Sequence, residues 1–166
     1  RYDEALSATQ KAIDLEPDNA EYYDSLGTTL HKMGRYDEAL SATQKAIDLE
    51  PDNAEYYDNY GITLHKMGRY DEALSATQKA IDLEPDNAEY YDSFGITLHE
   101  IGHYDEALSA KQKAIDLEPD NAEYYDSFGI TLHEIGRYDE ALSATQKAID
   151  LDPNNVQYKE NLNFIL

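Results

Sequence analysis

The chain has 166 residues, 41% of them hydrophobic, no cysteine, and a formal net charge of −22 from 13 basic and 35 acidic side chains. The missing cysteine excludes disulfides and thiolate metal sites, and a surface this acidic repels nucleic acid and anionic lipid while attracting cations and basic segments. No apolar run approaches the ~20 residues a spanning helix needs and no stretch reads as a signal peptide, which points to a cytoplasmic protein with no membrane partner.

A helical pattern runs first over roughly Tyr2 to Leu15, with an apolar stripe but no partner helix before it. The chain opens at Arg1, mid-pattern and without methionine, so it reads as a piece of a longer protein. From Asn19 one 34-residue sentence is written out, NAEYYDSLGTTLHKMGRYDEALSATQKAIDLEPD, and it returns at Asn53, Asn87 and Asn121. The second copy differs only in having Asn59 for Ser25, Tyr60 for Leu26 and Ile62 for Thr28. Repetition at this period signals a stacked solenoid, in which each unit buries its apolar face against its neighbours.

Each unit holds two helical patterns. The first starts at Asp18-Asn19-Ala20-Glu21, where Asp18 is placed to cap and Glu21 to reach back as a capping box. Pro17 stops the helix before it. Ala20, Tyr23, Leu26, Gly27, Leu30 and Met33 then share one face. Gly34, Gly68, Gly102 and Gly136 divide the first pattern from the second, whose stripe is Tyr36, Ala39, Leu40, Ala46 and Ile47. The last pattern, roughly Asn155 to Leu166, puts Lys159 where the repeats have a core tyrosine and Asn163 where they have glycine. Both changes obstruct a further repeat, so this helix reads as a cap, with Phe164 and Ile165 outside the buried stripe. The expected organisation is a half-repeat at 1–18, repeats at 19–52, 53–86, 87–120 and 121–154, and a capping helix at 155–166.

Leu26-Gly27, Ala39, Ala46 and Pro51, recurring with Tyr60-Gly61, Phe94-Gly95 and Phe128-Gly129, resemble the tetratricopeptide repeat (TPR) signature over essentially the whole chain. The resemblance implies an all-α, right-handed superhelical solenoid of antiparallel helix pairs. Three departures stand out. The family's frequent tryptophan is Tyr23, Tyr57, Tyr91 and Tyr125, and its tyrosine one turn after the glycine is Leu30, Leu64, Leu98 and Leu132. The aromatic expected in the middle of the second helix is Thr43, Thr77 and Thr145, with Lys111 in one repeat. A lost ring leaves a void worth about 3–5 kcal/mol in a dense core. Growth of the neighbouring column to Tyr60, Phe94 and Phe128 is expected to offset it, incompletely in the first repeat, where Leu26 stays opposite Thr43. Lys111 is expected to lay its stem in the gap and extend its amine to solvent.

The resemblance also implies that first helices line a concave groove and supply the ligand contacts. Opposite the core stripe, the first helices carry Glu21, Asp24, Thr28 and His31; Glu55, Asp58, Ile62 and His65; Glu89, Asp92, Ile96 and His99; and Glu123, Asp126, Ile130 and His133. Two carboxylate columns, a short apolar column and a histidine column are expected. Beside the histidines, Lys32 and Lys66 give way to Glu100 and Glu134. Acidity accordingly grows along the chain: seven acidic residues face three basic ones in each of the first two repeats, eight face two in the third and seven face two in the fourth. Chaperone-adaptor members hold a peptide carboxylate with lysine, arginine and asparagine; here only Asn59 fits that scheme. A basic or basic-amphipathic segment fits the columns better, and a merely solvated acidic face is the competing reading.

Beside carboxylates, the histidines are expected to titrate near or above ~6.5. Helices 8–10 Å apart keep imidazoles of adjacent repeats from sharing one zinc ion, so no metal or cofactor is expected. Ser25 lies six residues from His31 on a different part of the helix surface, and no phosphate loop or HExxH motif is present, so no enzyme is expected. The sequence therefore reads as a protein-interaction scaffold with an acidic groove, monomeric in solution. The alternative is a self-assembly module stacking head-to-tail through open ends.

Overall fold

A computed structural model describes residues 2–165; Arg1 and Leu166, the outermost positions of the expected half-repeat and cap, lie outside the described residues. Among the described residues there are ten helices and no strand. They fall into two compact units, Arg1–Pro85 and Asp86–Leu166. The first holds α1 (Tyr2–Leu15), α2 (Ala20–Lys32), α3 (Tyr36–Leu49), α4 (Ala54–Lys66) and α5 (Tyr70–Leu83). The second holds α6 (Ala88–Glu100), α7 (Tyr104–Leu117), α8 (Ala122–Glu134), α9 (Tyr138–Leu151) and α10 (Val156–Ile165). Within each unit, helices joined by a glycine turn pack as antiparallel pairs, and alternate helices, α2 on α4 and α6 on α8, also touch.

The turn inside each pair has a local cause. Gly34 sits at φ +74°, a left-handed conformation that suits a residue without a Cβ. It closes a Schellman motif, in which the Gly34 amide donates to the His31 carbonyl (2.9 Å) and the Arg35 amide to the Leu30 carbonyl (3.0 Å). The helix start differs from expectation. Asn19, rather than Asp18, is the N-cap, and its side chain accepts from the Glu21 amide at 3.1 Å. The extended backbone at Asn19 points its short carboxamide at that amide, and Asp18 stays exposed in the turn before.

Gly27 sets how closely the pair packs: a Cβ there would lie 3.2 Å from the Ala39 carbonyl oxygen and against the Thr43 hydroxyl. Ala20, Ala46, Ile47 and Tyr56 form one core cluster of the first unit, and Leu40, Leu64 and Ala73 another, with Tyr60 packed against both. In the second unit Phe128 bridges the equivalent clusters, Ala88–Ala114–Ile115–Tyr124 and Leu108–Leu132–Ala141–Ala144. The enlarged rings thus fill space along the stack. Tyrosine at the family's tryptophan position keeps a polar tip in use: Tyr23 and Tyr57 donate their hydroxyls to the Pro17 and Pro51 carbonyls at 3.1 Å. On α10, Phe164 is 75% exposed as expected, whereas Ile165 is half-buried against the Leu132 cluster.

Candidate functional site

The first helices do not present the four columns as one surface. Glu21, Glu55, Glu89 and Glu123 are exposed, as the groove reading requires. The aspartates are not: Asp24 is 9% exposed, Asp58 3%, Asp92 6% and Asp126 8%. A first helix in a stack has three faces, toward its partner helix, toward the next first helix and toward solvent, and the aspartates occupy the second. Asn59 donates its amide to both carboxylate oxygens of Asp24 at 3.1 Å, and Asn161 does the same for Asp126 at 3.0 and 2.8 Å. Asp92 is bonded to Ser127. In each case the donor lies 35 residues beyond the carboxylate. Desolvation pushes Asp24 and Asp92 up to about 6, with the Asn59 amide opposing the shift at Asp24 and the Lys111 ammonium opposing it at Asp92. Asp24, Asp92 and Asp126, and Asn59 with them, are structural ties between consecutive first helices of one unit.

His31, His65, His99 and His133 are half-buried, and His31 and His99 take part in a second set of ties. His31 Nδ1 lies 3.0 Å from Thr63 Oγ1, whose own proton goes to the Asn59 carbonyl at 2.9 Å, so Nδ1 carries the proton and donates. His99 and Thr131 repeat this at 3.0 Å, with Thr131 donating to the Ser127 carbonyl. His31, His65 and His99 also meet a tyrosine of the following helix edge-on, as His31 does Tyr36 at 5.4 Å between ring centres, and His133 meets Tyr138 at a tilt. Burial first, and then Lys66 and Lys32, lower the pKa of His31; burial first, and then Lys111, lower that of His99. These directions correct the expectation of titration near or above 6.5. Burial outweighs carboxylates that stand farther off in solvent. The buried threonines Thr63, Thr97 and Thr131 escaped sequence reasoning, although their recurrence four residues after Asn59, Ser93 and Ser127 was available.

In the first unit the lost ring leaves a pocket of about 210 Å³. Gly27, Thr28, His31 and Lys32 of α2 line it, with Thr43 of α3 and Asn59, Ile62 and Thr63 of α4. The volume beside Thr43, where the first repeat keeps Leu26, is thus left partly unfilled, in line with the incomplete compensation expected there. In the second unit the corresponding position is Lys111, and its amine does not reach solvent as expected. The residue is 3% exposed, and Nζ donates to the Ser127 carbonyl and Thr131 Oγ1, both at 2.9 Å. Two acceptors and two nearby carboxylates, Asp92 and Asp126, hold it inside, while desolvation brings it down to about 8.

What remains at the surface of the second unit is apolar and acidic: Ile96 and Ile130 are 38% and 39% exposed, and Glu100 and Glu134 are exposed beside His99 and His133. In the first unit the matching Thr28 and Ile62 are half-buried. Among the described residues no three His, Asp or Glu side chains gather as a metal site, and no helix is long and apolar enough to cross a membrane.

Family models described as tetratricopeptide repeat match residues 26–84 and 52–120, 8–41, and 122–155. No curated protein gives a significant match. Among solved structures the chain is similar to MamA, at 28% identity and a TM-score of 0.79 over 95% of this chain and 92% of that one. It is also similar to YrrB, described as a TPR protein with an unusual peptide-binding site, at 26% identity and a TM-score of 0.75 over 97% and 83%. TTC0263, a thermophilic TPR protein of Thermus thermophilus, shares the fold at 24% identity and a TM-score of 0.86 over 99% and 90%.

Proposed function

The chain belongs to the tetratricopeptide repeat family, whose members include protein-interaction scaffolds, and from that premise we propose that its first-helix surface binds basic or basic-amphipathic peptide segments. The observation that carries this reading is the pairing of exposed isoleucine with exposed glutamate on the same helices, Ile96 and Ile130 with Glu89 and Glu123. A lysine or arginine placed near those carboxylates gains Coulomb energy. An apolar side chain beside it covers isoleucine surface at about 25 cal/mol per Å². The net charge of −22 steers such a segment inward and turns an acidic tail away. The aspartates contribute to this field from inside the protein; direct contact falls to the glutamates. The lowered histidine pKa values keep His31 and His99 neutral at pH 7 and leave the surface its negative sign.

Head-to-tail stacking is the second reading, supported by Leu15 at 83% exposure and Phe164 at 75%. Light scattering against concentration, run beside capture of a lysine–leucine peptide and a glutamate–leucine control, separates the two. A particle of constant mass that takes up only the basic peptide supports the binding surface. Mass that climbs with concentration, with neither peptide captured, supports stacking and defeats the proposal.

A further inference from the structure

The two units treat one position of the second helix differently, and the difference identifies what the pocket in the first unit accepts. In α7 the position is Lys111. Its stem runs along Gly95, where an added Cβ would meet Lys111 Cγ at 2.7 Å and Cε at 3.4 Å. Its ammonium ends on the Ser127 carbonyl and the Thr131 hydroxyl, both at 2.9 Å. In α3 the position is Thr43, which stops at Gly27 and leaves about 210 Å³ open beside it. The groups that hold the ammonium have counterparts 68 residues earlier: Asn59 for Ser127, Thr63 for Thr131, Asp24 for Asp92 and Asp58 for Asp126. Asn59 and Thr63 line the open pocket, and both aspartates are buried in the first unit. The first unit therefore keeps the acceptors and carboxylates of a lysine site with Thr43 in place of the inserted lysine; Lys32 lines the same pocket but is itself exposed.

We propose that this pocket receives a lysine side chain from a bound basic segment, its stem against Gly27 and Ile62 and its ammonium on the Asn59 carbonyl and the Thr63 hydroxyl. The proposal rests on the reading of the first-helix surface as a site for basic segments and sharpens it to one anchoring residue. Lysine suits the pocket better than arginine. The two acceptors converge on a point, which a compact ammonium satisfies, whereas a planar guanidinium needs acceptors spread to match its fork. Lys32 and Lys66 oppose a further cation here, since both lower the pKa of His31 in the pocket wall; both are exposed, so solvent weakens that opposition, and buried Asp24 and Asp58 offset it. His31, donating Nδ1–H to Thr63, leaves that hydroxyl an acceptor lone pair for the incoming ammonium, as His99 does at Thr131.

The test uses the full chain, an octapeptide of alternating lysine and leucine, and the same peptide with norleucine for lysine, followed by NMR at His31, Thr63, His99 and Thr131. The lysine peptide is expected to shift His31 and Thr63, and norleucine to weaken binding roughly tenfold or more, the worth of a hydrogen bond to a charged group. Thr43→Lys installs in α3 the side chain that α7 already carries, so the variant is expected to keep its helicity and lose the response at His31 and Thr63. Lys111→Thr opens the counterpart and is expected to gain a response at His99 and Thr131; this arm also decides the matter if Thr43→Lys fails to fold. A folded Thr43→Lys that still shifts His31 and Thr63, or a Lys111→Thr that gains nothing, overturns the anchor while leaving peptide binding standing. No binding of the lysine peptide by the unaltered chain overturns both.

Discussion

Asp24→Asn isolates the energetics of the buried ties. Asp24 is 9% exposed and its folded pKa stands at about 6, against an ordinary 3.8. A gap of about two units at ~1.36 kcal/mol each sets a ceiling near 3 kcal/mol on what ionisation costs the fold at neutral pH. Residual exposure and water access lower that figure, as does loss of the second Asn59 contact, since an asparagine at position 24 offers one acceptor oxygen in place of two, to about 1–2 kcal/mol. The sign follows from the raised folded value: Asp24 adds stability when protonated, and the addition is lost as pH rises through 6. Asp24→Asn is therefore expected to raise the unfolding free energy at pH 7.5 by that amount, read as a higher urea midpoint, and by roughly a third as much at pH 4.5, with the same m-value at both. A variant equally destabilised at both pH values would refute the argument, because the ionised Asp24–Asn59 tie would then be net favourable.

Asn59→Ala takes the amide from Asp24 and should cost about 1–3 kcal/mol at pH 7.5, less at pH 4.5, in the same urea experiment. Gly27→Ala pushes a methyl toward the Ala39 carbonyl and the Thr43 hydroxyl, and overpacking of this kind should lower stability by about 1–3 kcal/mol while leaving helicity intact. Lys111, held inside by the Ser127 carbonyl and Thr131, should titrate near 8 when its Cε resonance is followed by NMR. Its depressed folded pKa means that the stability it contributes is present at high pH and lost as pH falls through 8. A Lys111 midpoint near 10.5 would place the amine in solvent.

Helices and turns were legible in the sequence because each has a local cause repeated four times. Gly34 and its equivalents occupy a conformation that disfavours a side chain, and the alanines recur wherever two helices approach. The role of the aspartates was harder to read. A helical wheel splits α2 into an apolar side and a polar side, and Asp24 falls on the polar one. Only the stack reveals a third face, against α4, where a carboxylate is buried and bonded to Asn59. The spacing of 35 between Asp24 and Asn59, echoed by Asp126 and Asn161, was the available clue. The position of Lys111 was equally beyond a single-helix reading, since its acceptors come from α8, a helix later in the chain. The exposed glutamates and isoleucines were readable because nothing packs over them.

The most direct measurement is the affinity of the full chain for the lysine–leucine octapeptide as salt is raised from about 50 to about 300 mM, where the screening length falls from ~14 to ~6 Å. The same series is run on the variant carrying Glu21→Gln, Glu55→Gln, Glu89→Gln and Glu123→Gln. An acidic binding surface predicts that affinity falls steadily with salt and that neutralising the four glutamates both weakens binding and flattens the slope. Affinity indifferent to salt, or a slope the four substitutions leave untouched, would contradict it.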